Sequence, residues 1–170
     1  MPFFYRRETT PCFLTGSNPL PTEIQVAANA FASSITCDFS RRTIGNVPDV
    51  STSTQSFSNI NFVSSSTPLR FALDNFATAT PLSASSLRIL EQQLEVYIAT
   101  EAGVRSEGGD LAIEVPKFFL AMQVARVKTA LGIEIPGWEQ SVEYLVDKVL
   151  ETAKGEERGL LDQVVGLGMV

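Results

Sequence analysis

The stretch PKFFLAMQVARVKTAL, Pro116–Leu131, decides how the rest of the chain is read. Wound at about 100° per residue, it sets Leu120, Val124, Val127 and Leu131 on one stripe and Phe118, Met122 and Ala125 on another, so both faces are apolar. A helix of that kind needs neighbours on two sides. Weaker amphipathic segments near 22–35, 84–103 and 138–152 can supply them. The expected fold is therefore mainly α: a single domain resembling a four- to five-helix bundle, with at most one or two short strands. Its predicted extent is 22–170, behind an extended arm at 1–21 and with a loop-rich insertion at 37–67.

The signals at the segment ends support this layout. Thr22 followed by Gln25 reads as a capping box opening the first helix, whose stripe is Ile24, Ala28, Phe31 and Ile35. Thr67-Pro68 reads as an N-cap with proline in the first turn of a short helix. Leu87, Leu90, Leu94 and Tyr97 line the next helix after a serine cap, with Glu91, Gln92, Gln93 and Glu95 facing outward. LAIEVP is expected to be a brief extended piece before Pro116, taken as the first residue of the central helix, which stops at Gly132. Trp138 is expected to open another helix, and a glycine-weakened one closes the chain over 156–167. Between the first helix and Thr67, Ser, Thr and Asn dominate. Alternation is confined to Ser58–Val63, where a short strand with Ile60 and Phe62 on one face is expected.

Composition removes several chemistries. The chain of 170 residues has no histidine, which excludes Ser-His-Asp, Cys-His and His-metal sites. Acid-base work would fall to carboxylates such as Asp110, Glu114 or Glu134, and nothing in the order of residues makes them converge, so the reading leans away from an enzyme. No P-loop, GxGxxG or zinc spacing occurs, and no cofactor is expected. Cys12 and Cys37 read as two reduced, partly buried thiols, with an internal bridge or a reactive thiol as the alternatives. No apolar run approaches the roughly 18 residues of a membrane span. MPFFYRRETTPCF lacks the order of a signal peptide, so an intracellular or virion setting is expected.

The net charge of −6 lies wholly in the second half, since residues 1–80 hold five arginines and five acids. Such a chain is not expected to bind nucleic acid independently of sequence. In the arm, Phe3, Phe4 and Tyr5 precede Arg6 and Arg7, residue types suited to anchoring an interface, either on the same domain or on another copy. Glu139, Glu143, Asp147 and Glu151 recur every four residues. Their repulsion costs roughly 0.2–0.5 kcal/mol per pair. Two readings of the row stand: a solvated face, or a surface for a basic partner such as Arg6, Arg7, Arg41 or Arg42 of another copy, or for a weakly held divalent cation. With the apolar, glycine-containing tail ending in Met169 and Val170, these features favour a non-catalytic structural subunit that self-associates or docks into a larger assembly. The other reading is a monomeric helical module for an apolar ligand or pigment.

Two short segments, TEIQVA at 22–27 and LGIEIPGWEQSVEYL at 131–145, are similar to parts of phycocyanin-type light-harvesting subunits. The resemblance implies helices at both places. It does not extend to a bilin attachment, because neither cysteine stands in a Cys-x-Arg-Asp context.

Overall fold

The computed structural model describes residues 10–65 and 67–170. In chain order its elements are α1 (Thr22–Phe31), β1 (Thr36–Arg42), β2 (Pro48–Ser51), α2 (Pro68–Asn75), α3 (Leu87–Ser106), α4 (Glu114–Ala130), α5 (Val142–Thr152) and α6 (Arg158–Gly168). The chain is mainly helical with one small two-stranded sheet. Eleven of the seventeen residues of α4 are buried, as a helix apolar on all sides must be. It packs chiefly against α3 and α5, and also against α2.

Several ends differ from the expectation. Pro116 is the third residue of α4, because a 3-10 turn at Leu111–Ile113 runs straight into the helix and Asp110 accepts the Ala112 N–H at 2.7 Å. The first four amides of a helix have no intrahelical acceptor, so proline is tolerated there as well as at the first position. Leu131 does not join the inner stripe; it is 44% exposed, because Gly132 takes a φ of +73° and turns the chain away. At α1 the capping box does not form: Pro21 is the N-cap, Thr22 is already helical, and no side chain caps the end. The fixed φ of proline starts the turn instead. Thr67 does cap α2, accepting the Arg70 N–H at 3.2 Å. Ser86 caps α3 and Ser141 caps α5, while Trp138 belongs to a 3-10 turn before α5 and is 61% exposed.

The Ser/Thr-rich region is ordered around aromatic anchors. The strand expected at Ser58–Val63 is two 3-10 turns, Phe57–Ile60 and Phe62–Ser64, which send Phe57 and Phe62 inward. Both rings meet the buried Tyr97 of α3, at centroid distances of 4.9 and 6.3 Å, and Phe76 meets it from the third side at 5.6 Å. The Tyr97 hydroxyl donates to the Ile60 carbonyl at 2.5 Å. Burial raises the phenol's pKa far above its ordinary value. The strands lie earlier, in antiparallel β1 and β2, with Cys37 opposite Val50 and Asp38 opposite Asp49. Polar side chains then fix the loop. Gln92 Oε1 accepts the Thr52 hydroxyl at 2.9 Å and also the Thr54 hydroxyl, and Asp49 accepts the Ser58 N–H at 3.0 Å and hydroxyl at 2.7 Å.

The described part of the arm lies against the domain. Phe13 is fully buried, and the backbone passes so close to the end of α3 that a Cβ at Gly103 would meet the Phe13 carbonyl at 2.5 Å. A Cβ at Gly16 would meet the Ser106 carbonyl at 2.0 Å, so both glycines are required by the crossing. Cys12 is bonded to Cys37, with a Cα–Cα distance of 6.2 Å. This corrects the reading of two reduced thiols. Twenty-five residues separate them in the chain, and only the return of β1 beside the arm brings them together. At the other terminus α6 docks through buried Leu160 and Val164 and through Arg126 of α4, whose Nε donates to the Leu167 carbonyl at 2.8 Å. A cation at the carbonyl end of a helix is favourably placed. Burial lowers the pKa of Arg126, and its Nη1 is held by Gln123 Oε1 at 2.5 Å and Thr78 Oγ1 at 3.2 Å.

Candidate functional site

α3 and α4 run antiparallel, as three pairings along their seam show: Glu101 with Lys117, Arg105 with Glu114, and Glu91 with Lys128. The two ends of this seam differ in character. At the end near the 3-10 turn before α4, Glu101 is completely buried. Lys117 Nζ stands 2.7 Å from its Oε1, off hydrogen-bond geometry, and 3.3 Å from its Oε2, to which it donates. Arg105 Nε donates to the same Oε2 at 3.2 Å, and the Arg105 guanidinium also pairs with Glu114. Two acids and two bases thus neutralise one another. Buried charges persist on these terms, because each lacks the hydration it would have in water.

One helical turn along the same faces, the seam opens into a groove of about 860 Å³. α3 contributes Leu94 and Ile98, and α4 contributes Ala121, Val124 and Ala125. The opposite wall is α1, through Val26, Ala27, Ala30 and Phe31, and Ile135 and Leu145 close the far side. The size falls inside the roughly 300–1,000 Å³ usual for ligand sites. Small residues explain the opening. Alanines at 27, 30, 121 and 125 leave the space that larger side chains would fill.

Among the described residues the edge of the groove carries Glu23, Glu91, Glu95 and Glu139, against one cation, Lys128. Lys128 Nζ is 4.0 Å from Glu91. Glu95 has a raised pKa, first because it is partly desolvated and second because Glu91 repels it, and no cation among the described residues lowers it. The seam therefore passes from paired charge at its closed end to uncompensated negative charge around an apolar floor at its open end.

The residues singled out by sequence are scattered. Phe3, Phe4, Tyr5, Arg6 and Arg7 lie outside the described residues. Arg41 and Arg42 are exposed on β1, where Arg41 approaches Ser58 Oγ at 3.4 Å and Arg42 donates to the Asn46 carbonyl at 3.0 Å. The acidic row is divided. Glu143, Asp147 and Glu151 are exposed on α5, with Lys148 3.7 Å from Glu151, whereas Glu139 sits in the preceding 3-10 turn and edges the groove. Met169 is 80% exposed. Of the carboxylates considered for acid-base work, Asp110 caps a turn, Glu114 pairs with Arg105 and Glu134 is exposed. Among the described residues no group of three or more His, Cys, Asp or Glu side chains is arranged to hold a metal ion.

From residue order alone Glu91 and Glu95 face outward on α3, and no pattern there locates a groove beside them. The signal was present in the alanines that share a face with Leu94, Val124 and Phe31, but a run of small residues reads equally as close helix packing.

A mainly helical domain with an apolar, acid-edged groove is the class these features define. Over residues 14–170 the chain matches the family described as Domain of unknown function (DUF7143), and it belongs to that family. No curated protein and no solved structure matches it, so the two short segments similar to phycocyanin-type subunits carry no argument here. Among the described residues no helix is long and apolar enough to cross a membrane.

Proposed function

We propose that this chain is a helical binding module whose groove between α1 and the α3–α4 seam takes the apolar part of a ligand. The observation that carries the reading is the groove itself, an open space of about 860 Å³ with an apolar floor built by three helices. Apolar surface removed from water there contributes roughly 25 cal/mol per Å² before the costs of binding. The test fills the space. Ala27→Phe places a ring in the groove from α1, at a position only partly buried in the protein. Binding of the neutral fluorophore N-phenyl-1-naphthylamine should be saturable in the native chain and at least about tenfold weaker in the variant, with the same helicity by circular dichroism. Equal binding by both chains would rule the groove out as the site.

A second reading, self-association or docking into an assembly, is favoured by the apolar side chains left in solvent: Trp138 is 61% exposed, and Met169 and Val170 are each 80% exposed. Light scattering at tens of micromolar tests it, a strict monomer removing it. The disulfide favours an oxidising compartment over the intracellular setting expected from the sequence, since such bonds are seldom kept among cytosolic thiols.

A further inference from the structure

The apolar walls of the groove say only that the ligand has an apolar body. Its edge says more. Glu95 is on the α3 wall, Glu23 on α1 and Glu139 on the turn before α5, so acids stand on three different elements around one opening. Chance clustering along one helix would put them on one element. The cation in the lining, Lys128, is directed to Glu91. At the closed end of the same seam every acid faces a base, as Glu101 does with Lys117 and Arg105.

We infer that the ligand of this groove is an amphiphile with a long apolar chain and a cationic head group, the chain lying on the floor and the head held among Glu95, Glu23 and Glu139. The inference rests on the groove reading above. A cation entering there meets Glu95, which is partly desolvated, with the exposed Glu23 and Glu139 at the same opening, so attraction at Glu95 is screened less than at an open surface. An anionic head meets repulsion at the same place. A ligand without charge gains the apolar contacts alone. Discrimination by head charge is therefore built into the site, and the tail supplies affinity common to all three.

The experiment uses three twelve-carbon probes below their micellar concentrations: dodecyltrimethylammonium, dodecyl maltoside and dodecyl sulfate. Binding to the full chain is followed through its single tryptophan, Trp138, which is adjacent to Glu139. Circular dichroism verifies that helicity is unchanged. The cationic probe should bind about tenfold more tightly than the anionic one, with the neutral probe between them, and higher salt should narrow the spread. In Glu95→Gln/Glu139→Gln the spread should fall below about threefold while the neutral probe binds as before. Glu143→Gln/Asp147→Asn changes the net charge equally on the exposed face of α5 and should leave the spread intact. If both double variants narrow it alike, net charge is the cause and the inference falls.

Equal binding of the three probes by the native chain would overturn the head-group inference and leave the groove reading standing. Failure of all three would overturn the groove reading. Deleting residues 2–7 provides a further check. A gain of about tenfold for every probe would mean that the chain's own aromatic and arginine segment takes the groove, and the amphiphile proposal would fall.

Discussion

The closed and open ends of the α3–α4 seam are built from the same two helices, and they treat charge in opposite ways. At the closed end Glu101 is fully buried beside Lys117 and Arg105, and Glu114 completes an alternating set. At the open end Glu95 is partly desolvated, is repelled by Glu91 and has no cation among the described residues to offset it. A folding chain gains nothing from an uncompensated carboxylate beside an apolar floor. The closed end is what stability alone produces. The open end departs from it, and sites that depart from local consistency are where function is to be sought.

The largest expected effect comes from breaking the closed end. Glu101→Ala leaves the buried Lys117 without its carboxylate and Arg105 with Glu114 alone, and should cost about 3–5 kcal/mol of stability in urea unfolding. Replacing Glu101 and Lys117 together by leucine and methionine should recover most of that loss, because the desolvation penalty goes with the charges. A double variant as unstable as Glu101→Ala would show that the cluster stabilises the fold by more than its pairing.

Next in size is the disulfide, which belongs to neither end. Cys12→Ser/Cys37→Ser opens a loop of 25 residues. The variant should be about 3 kcal/mol less stable in chemical unfolding. If the two ends are independent of the arm, its probe binding at temperatures where it remains folded should match that of the native chain.

The smallest effect sharpens the open end. Glu95 has a raised pKa in the folded protein, so the native state holds its proton more tightly than the unfolded chain does. Between the ordinary glutamate range and the raised value, stability therefore falls as pH rises, and above that window the deficit is constant. Glu95→Gln should remove this decline, so the difference in unfolding midpoint between variant and native chain should favour the variant at neutral pH and shrink as pH falls through the window. A midpoint difference independent of pH would mean that Glu95 is not strained by its setting.

Much of the helical layout was legible from residue order. The all-round apolar character of Pro116–Leu131 predicted a central helix, and α4 is that helix. Thr67, a serine among Ser83, Ser85 and Ser86, and the stop at Gly132 marked ends because caps and left-handed glycines act within a few residues, and Ser86 is the serine that caps. The local failures, the capping box at Thr22 and the helix starts at Pro116 and Trp138, move an end by a few residues, and the larger failures are long-range. Ser58–Val63 has strand alternation, yet Phe57 and Phe62 are captured by Tyr97, some forty residues away on α3, and the backbone bends into turns to deliver them. Cys12 and Cys37 carry no spacing signature, and only the crossing of Gly16 and Gly103 lays the arm where the bond can form. The row Glu139–Glu151 looks continuous in sequence, but Ser141 caps α5 and splits Glu139 from the other three.

What the sequence determined by itself, then, is set by neighbours a few residues apart: which segments wind, where most of them stop, and which chemistries the lack of histidine removes. Tertiary structure decided the groove, since an alanine leaves open space only if no neighbouring helix fills it. It also decided the fate of each acid. Glu101 and Glu95 lie six residues apart on one helix and are alike in sequence, but Glu101 is buried against Lys117 of α4, whereas Glu95 edges the groove beside Glu91.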